Sequence, residues 1–102
     1  MTKEDCIRHL DVLNHWLDVI TTGNFAHCIA NIKWHLSSFK TILKRKPMLK
    51  EENTNLIITW IDAMLNICNR THVGNLDSNK NKLRVKIKDS TEYINNFMSD
   101  EK

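Results

Sequence analysis

The sequence predicts an all-α fold: one domain over 1–102, a compact up-down bundle of four helices around a central third helix. Three observations carry this. Two glycines and one proline in 102 residues leave too few turn residues for an all-β domain of this length. Apolar residues recur at three- and four-residue steps in four separate stretches. The most apolar stretch, residues 56–68, puts Ile57, Trp60, Ile61, Met64, Ile67 and Cys68 on one side and Leu56, Ile58 and Leu65 on the flanks. Its apolar arc covers roughly 200°, against about 100° for a surface helix, so it requires neighbours on at least two sides. A chain this long buries roughly 60–70% of its unfolded surface and folds without a disulfide or metal staple.

The first helix is expected over 3–22. Thr2 can cap its first turn, with Asp5 three residues on completing a capping box. Cys6, Leu10, Leu13, Leu17 and Ile20 form its core seam, widened by Val12, Trp16 and Val19. Gly23 suits a left-handed stop and Asn24 a cap for the next helix, and so short a link makes the two helices antiparallel.

The second helix is expected over 25–46, with Phe25, Ile29, Ile32, Leu36, Phe39 and Leu43 inward. Lys40, Lys44, Arg45 and Lys46 complement the negative end of its dipole, and Pro47 disfavours helix at the residue before it. The third, 50–72, starts with Glu51 and Glu52 at a dipole-favoured position and stops near Gly74.

The fourth, 77–98, is the ambiguous one. Lys80, Lys82, Arg84, Lys86 and Lys88 alternate with Leu83, Val85 and Ile87, which is strand periodicity. Leu76, Leu83, Ile87, Ile94 and Phe97 also fit one helical face, with Lys80 and Ser90 filling the remaining steps. Helix is preferred, because a lone strand leaves its backbone groups unpaired unless it pairs with another molecule. No internal repeat is evident, and residues 99–102 read as a frayed tail.

The charge balance of 15 basic against 12 acidic residues, net +3, does not by itself call for nucleic acid or membrane. No stretch reaches the ~18 apolar residues of a membrane span and the N-terminus lacks a signal-type apolar run, so a soluble cytoplasmic protein is expected. Cys6, Cys28 and Cys68 fall on core faces, the placement of reduced thiols used as small hydrophobes.

Neither catalysis nor metal binding is expected. Cys6 with His9, and Cys68 with His72, have ligand-like spacing, but the start of the first helix and the end of the third lie at opposite ends of an up-down bundle, about 20–30 Å apart. No nucleophile has a base beside it, neither glycine belongs to a phosphate loop, and no paired carboxylates share an apolar face. No cofactor and no small-molecule substrate are called for.

Trp34 stands out. It lies about 180° from the core seam of its own helix, among His27, Ala30, Ser38 and Thr41. Exposed indoles ringed by small polar groups are enriched at interface hot spots. The leading expectation is therefore a non-enzymatic protein-binding module, an adaptor, inhibitor or modulator that docks through Trp34, His27, Ser38 and Thr41, with a homodimer as a second form. The alternative is nucleic-acid binding through two basic groups: Lys40, Lys44, Arg45 and Lys46 on the second helix, and Lys80, Lys82, Arg84, Lys86 and Lys88 on the fourth. No aromatic residue is interleaved with either group as a base-stacking platform requires.

Overall fold

The computed structural model describes residues 1–98, and the tail expected at 99–102 lies outside them. Four helices, α1 (Lys3–Val19), α2 (Phe25–Arg45), α3 (Glu51–Asn69) and α4 (Leu76–Phe97), run up and down, with a 3-10 turn over Val73–Asn75. There is no strand among the described residues. The alternating stretch 80–88 is thus helical, and Leu76, Leu83, Ile87 and Ile94 bury one side of α4.

Two steps of that seam differ from expectation. Asn79 is buried in place of Lys80, because its amide can donate to Thr71 Oγ1 at 3.0 Å, whereas a lysine ammonium there would face apolar surroundings. Met98 is buried while Phe97 is 73% exposed. Ser90 fills its step as expected, its hydroxyl donating to the Lys86 carbonyl at 2.7 Å.

The helices form a ring in which α1 packs on α2 and α4, and α3 also packs on α2 and α4. Both flanks of α3 are covered, as its wide apolar arc demands. It is nevertheless one wall of four, with Leu56, Ile58, Trp60, Leu65 and Ile67 half-buried at its rims. Each helix supplies its own seam, so the centre belongs to all of them. Along α1 only Cys6, Leu10, Leu13 and Leu17 are buried, whereas Val12 and Val19 are 40% and 43% exposed.

The Thr2–Asp5 capping box forms as its residue types require, with Thr2 Oγ1 accepting the Asp5 amide and Asp5 Oδ2 accepting the Thr2 amide, each at 3.2 Å. The backbone amide and hydroxyl of Thr2 hold the Asp5 carboxyl below the usual range.

The ends of α1 and α3 depart from the glycine-stop expectation. Neither glycine has a positive φ, and α1 stops at Val19, short of residue 22. The Asn24 side chain donates to the Val19 carbonyl at 3.0 Å and accepts the Thr21 amide at 2.7 Å. It therefore closes the helix before it and makes no side-chain cap for α2. Asn75 does the same for α3, donating to the Arg70 carbonyl at 2.9 Å and accepting the His72 amide at 2.8 Å. That bond pattern ends α3 at Asn69, short of residue 72.

This recurrence exposes an internal repeat that the identities hide. Asn24 and Asn75 stand 51 positions apart, and the same offset pairs the α1–α2 hairpin with the α3–α4 hairpin. Cys6, Leu10, Leu13 and Leu17 match Ile57, Ile61, Met64 and Cys68; Cys28, Ile32, Leu36, Phe39 and Leu43 match Asn79, Leu83, Ile87, Ser90 and Ile94. Every one of these side chains is buried. Only Ile7, Asp11, Gly23 and Asn24 keep the same residue in the second hairpin, as Ile58, Asp62, Gly74 and Asn75. The packing pairs exchange likewise, α1 on α4 becoming α3 on α2, which makes the bundle a pseudo-two-fold pair of hairpins.

Candidate functional site

The repeat supplies an internal control for the outer surface. Ala26, Ala30, Trp34, Ser37 and Thr41 form the solvent stripe of α2, and Asp77, Asn81, Val85, Lys88 and Glu92 occupy the matching places on α4. All ten are exposed, yet the α2 stripe carries no charge and the α4 stripe carries three. Trp34 is 68% exposed. Core packing therefore does not explain this indole, since its own helix turns Ile32, Leu36 and Phe39 inward instead.

Trp34, Ser37, Ser38, Thr41 and Ile42 together line a shallow groove of about 460 Å³. Of the residues singled out in the sequence, Trp34, Ser38 and Thr41 thus come together. His27 lies two turns away along α2, where its ring meets Trp16 of α1 edge-on at 6.2 Å and its Nε2 is 3.3 Å from the Asn31 amide.

Ile42 also lines a second concavity of about 410 Å³, between α1 and α2, with Met1, Asp5, Arg8, His9, Val12, His35 and Lys46. Its floor holds a histidine pair. His9 Nδ1 lies 3.2 Å from His35 Nε2, and the His9 ring stacks on Phe39 with centroids 4.4 Å apart. One ring donates and the other accepts, so the pair shares a single proton across that contact. Burial holds both imidazoles below the usual histidine range, and the neighbouring His35 lowers His9 further. Sequence reasoning missed His35 and the pocket role of Val12 and Ile42. No signal in the residue order marks them, because His9 and His35 lie 26 positions apart on different helices, and the second hairpin holds Trp60, Lys86, Ala63 and Tyr93 at the places of His9, His35, Val12 and Ile42.

In the second hairpin that region is filled. Trp60 meets Tyr93 edge-on at 5.5 Å, and Tyr93 meets Phe97 at 5.0 Å. One groove, of about 350 Å³, lies between α3 and α4, lined by Ile67, Asn81, Lys82, Val85, Lys86 and Asp89, and another, of about 510 Å³, lies where the start of α3 meets the end of α2, lined by Lys44, Met48, Thr54 and Ile58 among others.

The basic residues do not form one patch. Their two helices, α2 and α4, face each other across the ring. Lys40 pairs with Asp62 and Arg84 with Asp18, each at 2.7 Å. Lys44, Arg45 and Lys46 are exposed at the end of α2; Lys82, Lys86 and Lys88 are exposed on α4, and Lys80 is half-buried.

No disulfide links Cys6, Cys28 and Cys68 among the described residues, and all three are buried. Burial pushes the Cys68 thiol up to about 11, away from a thiolate nucleophile at neutral pH. His72 is engaged in its turn, its Nδ1 accepting the Gly74 amide at 3.1 Å. Among the described residues no three His, Cys, Asp or Glu side chains gather as a metal site, and no helix is long and apolar enough to cross a membrane.

Fold and surface together define an all-α helical bundle whose two hairpins share a core plan and differ on their outer faces. In comparisons with known proteins, no family model matches the chain, and no curated protein or solved structure matches it significantly.

Proposed function

We propose that this chain is a non-enzymatic protein-binding module, an adaptor, inhibitor or modulator of a larger protein, that docks through the α1–α2 face. The observation that carries this reading is the contrast between matched stripes. At matched exposed positions, α4 holds charged and polar groups around Val85 while α2 holds small uncharged residues around Trp34. A large indole in water forgoes the stabilisation of its burial, and a partner recovers it. The reduced core thiols support a cytoplasmic setting.

The test is capture of a partner from the native host by the wild-type chain, by Trp34→Ala and by Val85→Ala. One defined partner should be retained by wild type and Val85→Ala and lost with Trp34→Ala. Equal capture by all three overturns the reading.

A second reading, nucleic-acid binding, is favoured by one feature. Lys82, Lys86 and Lys88 are exposed and have no ion-pair partner among the described residues. It predicts retention on heparin or DNA that falls steeply between about 50 and 200 mM salt. Absence of binding at low salt removes it.

A further inference from the structure

The inference rests on the docking reading above and names the chemistry of the partner. Over Phe25–Arg45, α2 has no acidic side chain. Its solvent stripe from Ala26 to Thr41 is uncharged and spans about 22 Å, four turns, at 1.5 Å per residue. Small side chains on either side of Trp34 leave room for another helix to approach closely along that length. Its fully exposed charge is gathered at one end, at Lys44 and Arg45 with Lys46 at the cap; Lys33 and Lys40 are half-buried, and Lys40 is paired with Asp62 at 2.7 Å.

Lys46 and Arg8 rim the concavity that Val12, Ile42 and the histidine pair line. The one carboxylate in that lining, Asp5, is already occupied, accepting the Thr2 amide at 3.2 Å and pairing with Arg8 at 3.4 Å. Glu4 and Asp11, though exposed, belong to α1 and lie off the α2 stripe. A visitor thus meets uncharged apolar ground at Trp34 and Ile42, then cationic ground within the next turn.

We propose that this face binds an amphipathic helix of another protein. Its apolar side chains lie on Trp34 and Ile42, and its Asp or Glu residues meet Lys44, Arg45 and Lys46. A second copy of the chain fits less well in either direction. Parallel pairing of two α2 helices stacks their basic ends on each other. Antiparallel pairing lays each basic end on the amino terminus of the other α2, the positive end of that helix dipole.

The test is a selection of helical peptides with randomised surfaces, displayed against the full chain at low salt, followed by affinity measurements on the winners. Enriched peptides should carry apolar residues at three- and four-residue spacing, with Asp or Glu clustered toward one end. Their affinity should fall about tenfold or more with Trp34→Ala, and again with Lys44→Glu combined with Arg45→Glu. It should also weaken as salt rises from about 50 to 200 mM. All three substituted positions are exposed, so circular dichroism should show the folded helix content unchanged.

Winners without acidic bias that still need Trp34 overturn the partner chemistry and leave the docking reading standing. Winners indifferent to Trp34→Ala, or none at all, overturn the face itself. A sedimentation equilibrium showing a dimer that Trp34→Ala dissolves puts a second copy on the face and overturns the proposal.

Discussion

The two hairpins share one backbone plan and differ in how they place large aromatics and concavities along it. In the first, Trp16 packs edge-on against His27 near the turn, and the far end opens at His9, His35 and Ile42. In the second, Trp60, Tyr93 and Phe97 gather at the far end, and the groove beside Ile67, Lys82 and Lys86 lies nearer the turn. The inner seams agree because both must fill one shared volume, while no such constraint acts on the outer stripes. Those stripes are where the chain is free to differ, and where it does.

The sharpest way to break the comparison is at the matched core pair Phe39 and Ser90. Phe39 is fully buried and Ser90 nearly so, and at this matched position the first hairpin contributes much the larger side chain to the core. Phe39→Ala should cost about 3–5 kcal/mol of unfolding free energy in urea titrations, and Ser90→Ala within about 1 kcal/mol. Similar costs at the two sites would show that the halves share that layer evenly.

The equivalence of the turns is tested next. Asn24→Ala and Asn75→Ala each remove two hydrogen bonds to otherwise unpaired helix-end groups. Each should cost about 1–2 kcal/mol, and by similar amounts. A loss at only one site would mean that the repeat is a matter of shape and not of energy.

The histidine pair belongs to the first hairpin alone and should give it a pH response. Both folded-state pKa values are lowered, chiefly by burial. Below the ordinary histidine range, near 6.5, the unfolded chain therefore binds protons that the folded chain resists. Stability should be full at neutral pH and decline as pH falls through that range. Solvent screens these half-buried rings, so the effect should be smaller than that of either turn variant. Melting temperatures between about pH 7.5 and 5.5 should fall for the wild type and flatten for His9→Gln combined with His35→Gln. Equal slopes would remove the pair as the cause.

The smallest stability effect is expected at the surface contrast itself. Trp34→Ala and Val85→Ala should each leave stability within about 1 kcal/mol of wild type, because neither side chain is part of the core. A loss of several kcal/mol at Trp34 would place the indole in the fold and remove it as an anchor.

Much of this fold is legible in residue order. The seams of α1, α2 and α4 follow three- and four-residue spacing, Thr2 with Asp5 specifies a cap, and Pro47 marks the break before α3. The solvent position of Trp34 also follows, since a rotation of 100° per residue puts it opposite its own buried face. The glycine stops misled, because Asn24 and Asn75 can reach carbonyls five residues back only in a folded turn, and those bonds end the helices earlier. The repeat escaped notice because its halves agree in burial at Phe39 and Ser90, or Cys28 and Asn79, where their chemistry differs.

Local order by itself determined the first three helices, their inward faces and the exposure of Trp34, since each depends on spacing within one segment; for α4 the spacing fits strand as well as helix, and the lack of a pairing strand elsewhere in the chain favours helix. Only the tertiary structure decided that His9 of α1 would meet His35 of α2, and that the two lysine-bearing helices would stand across the ring from each other. It also decided that two hairpins of different residues would share a single core. Such pairings join side chains far apart in the chain. They follow from how volumes fill a common centre, which no single segment encodes.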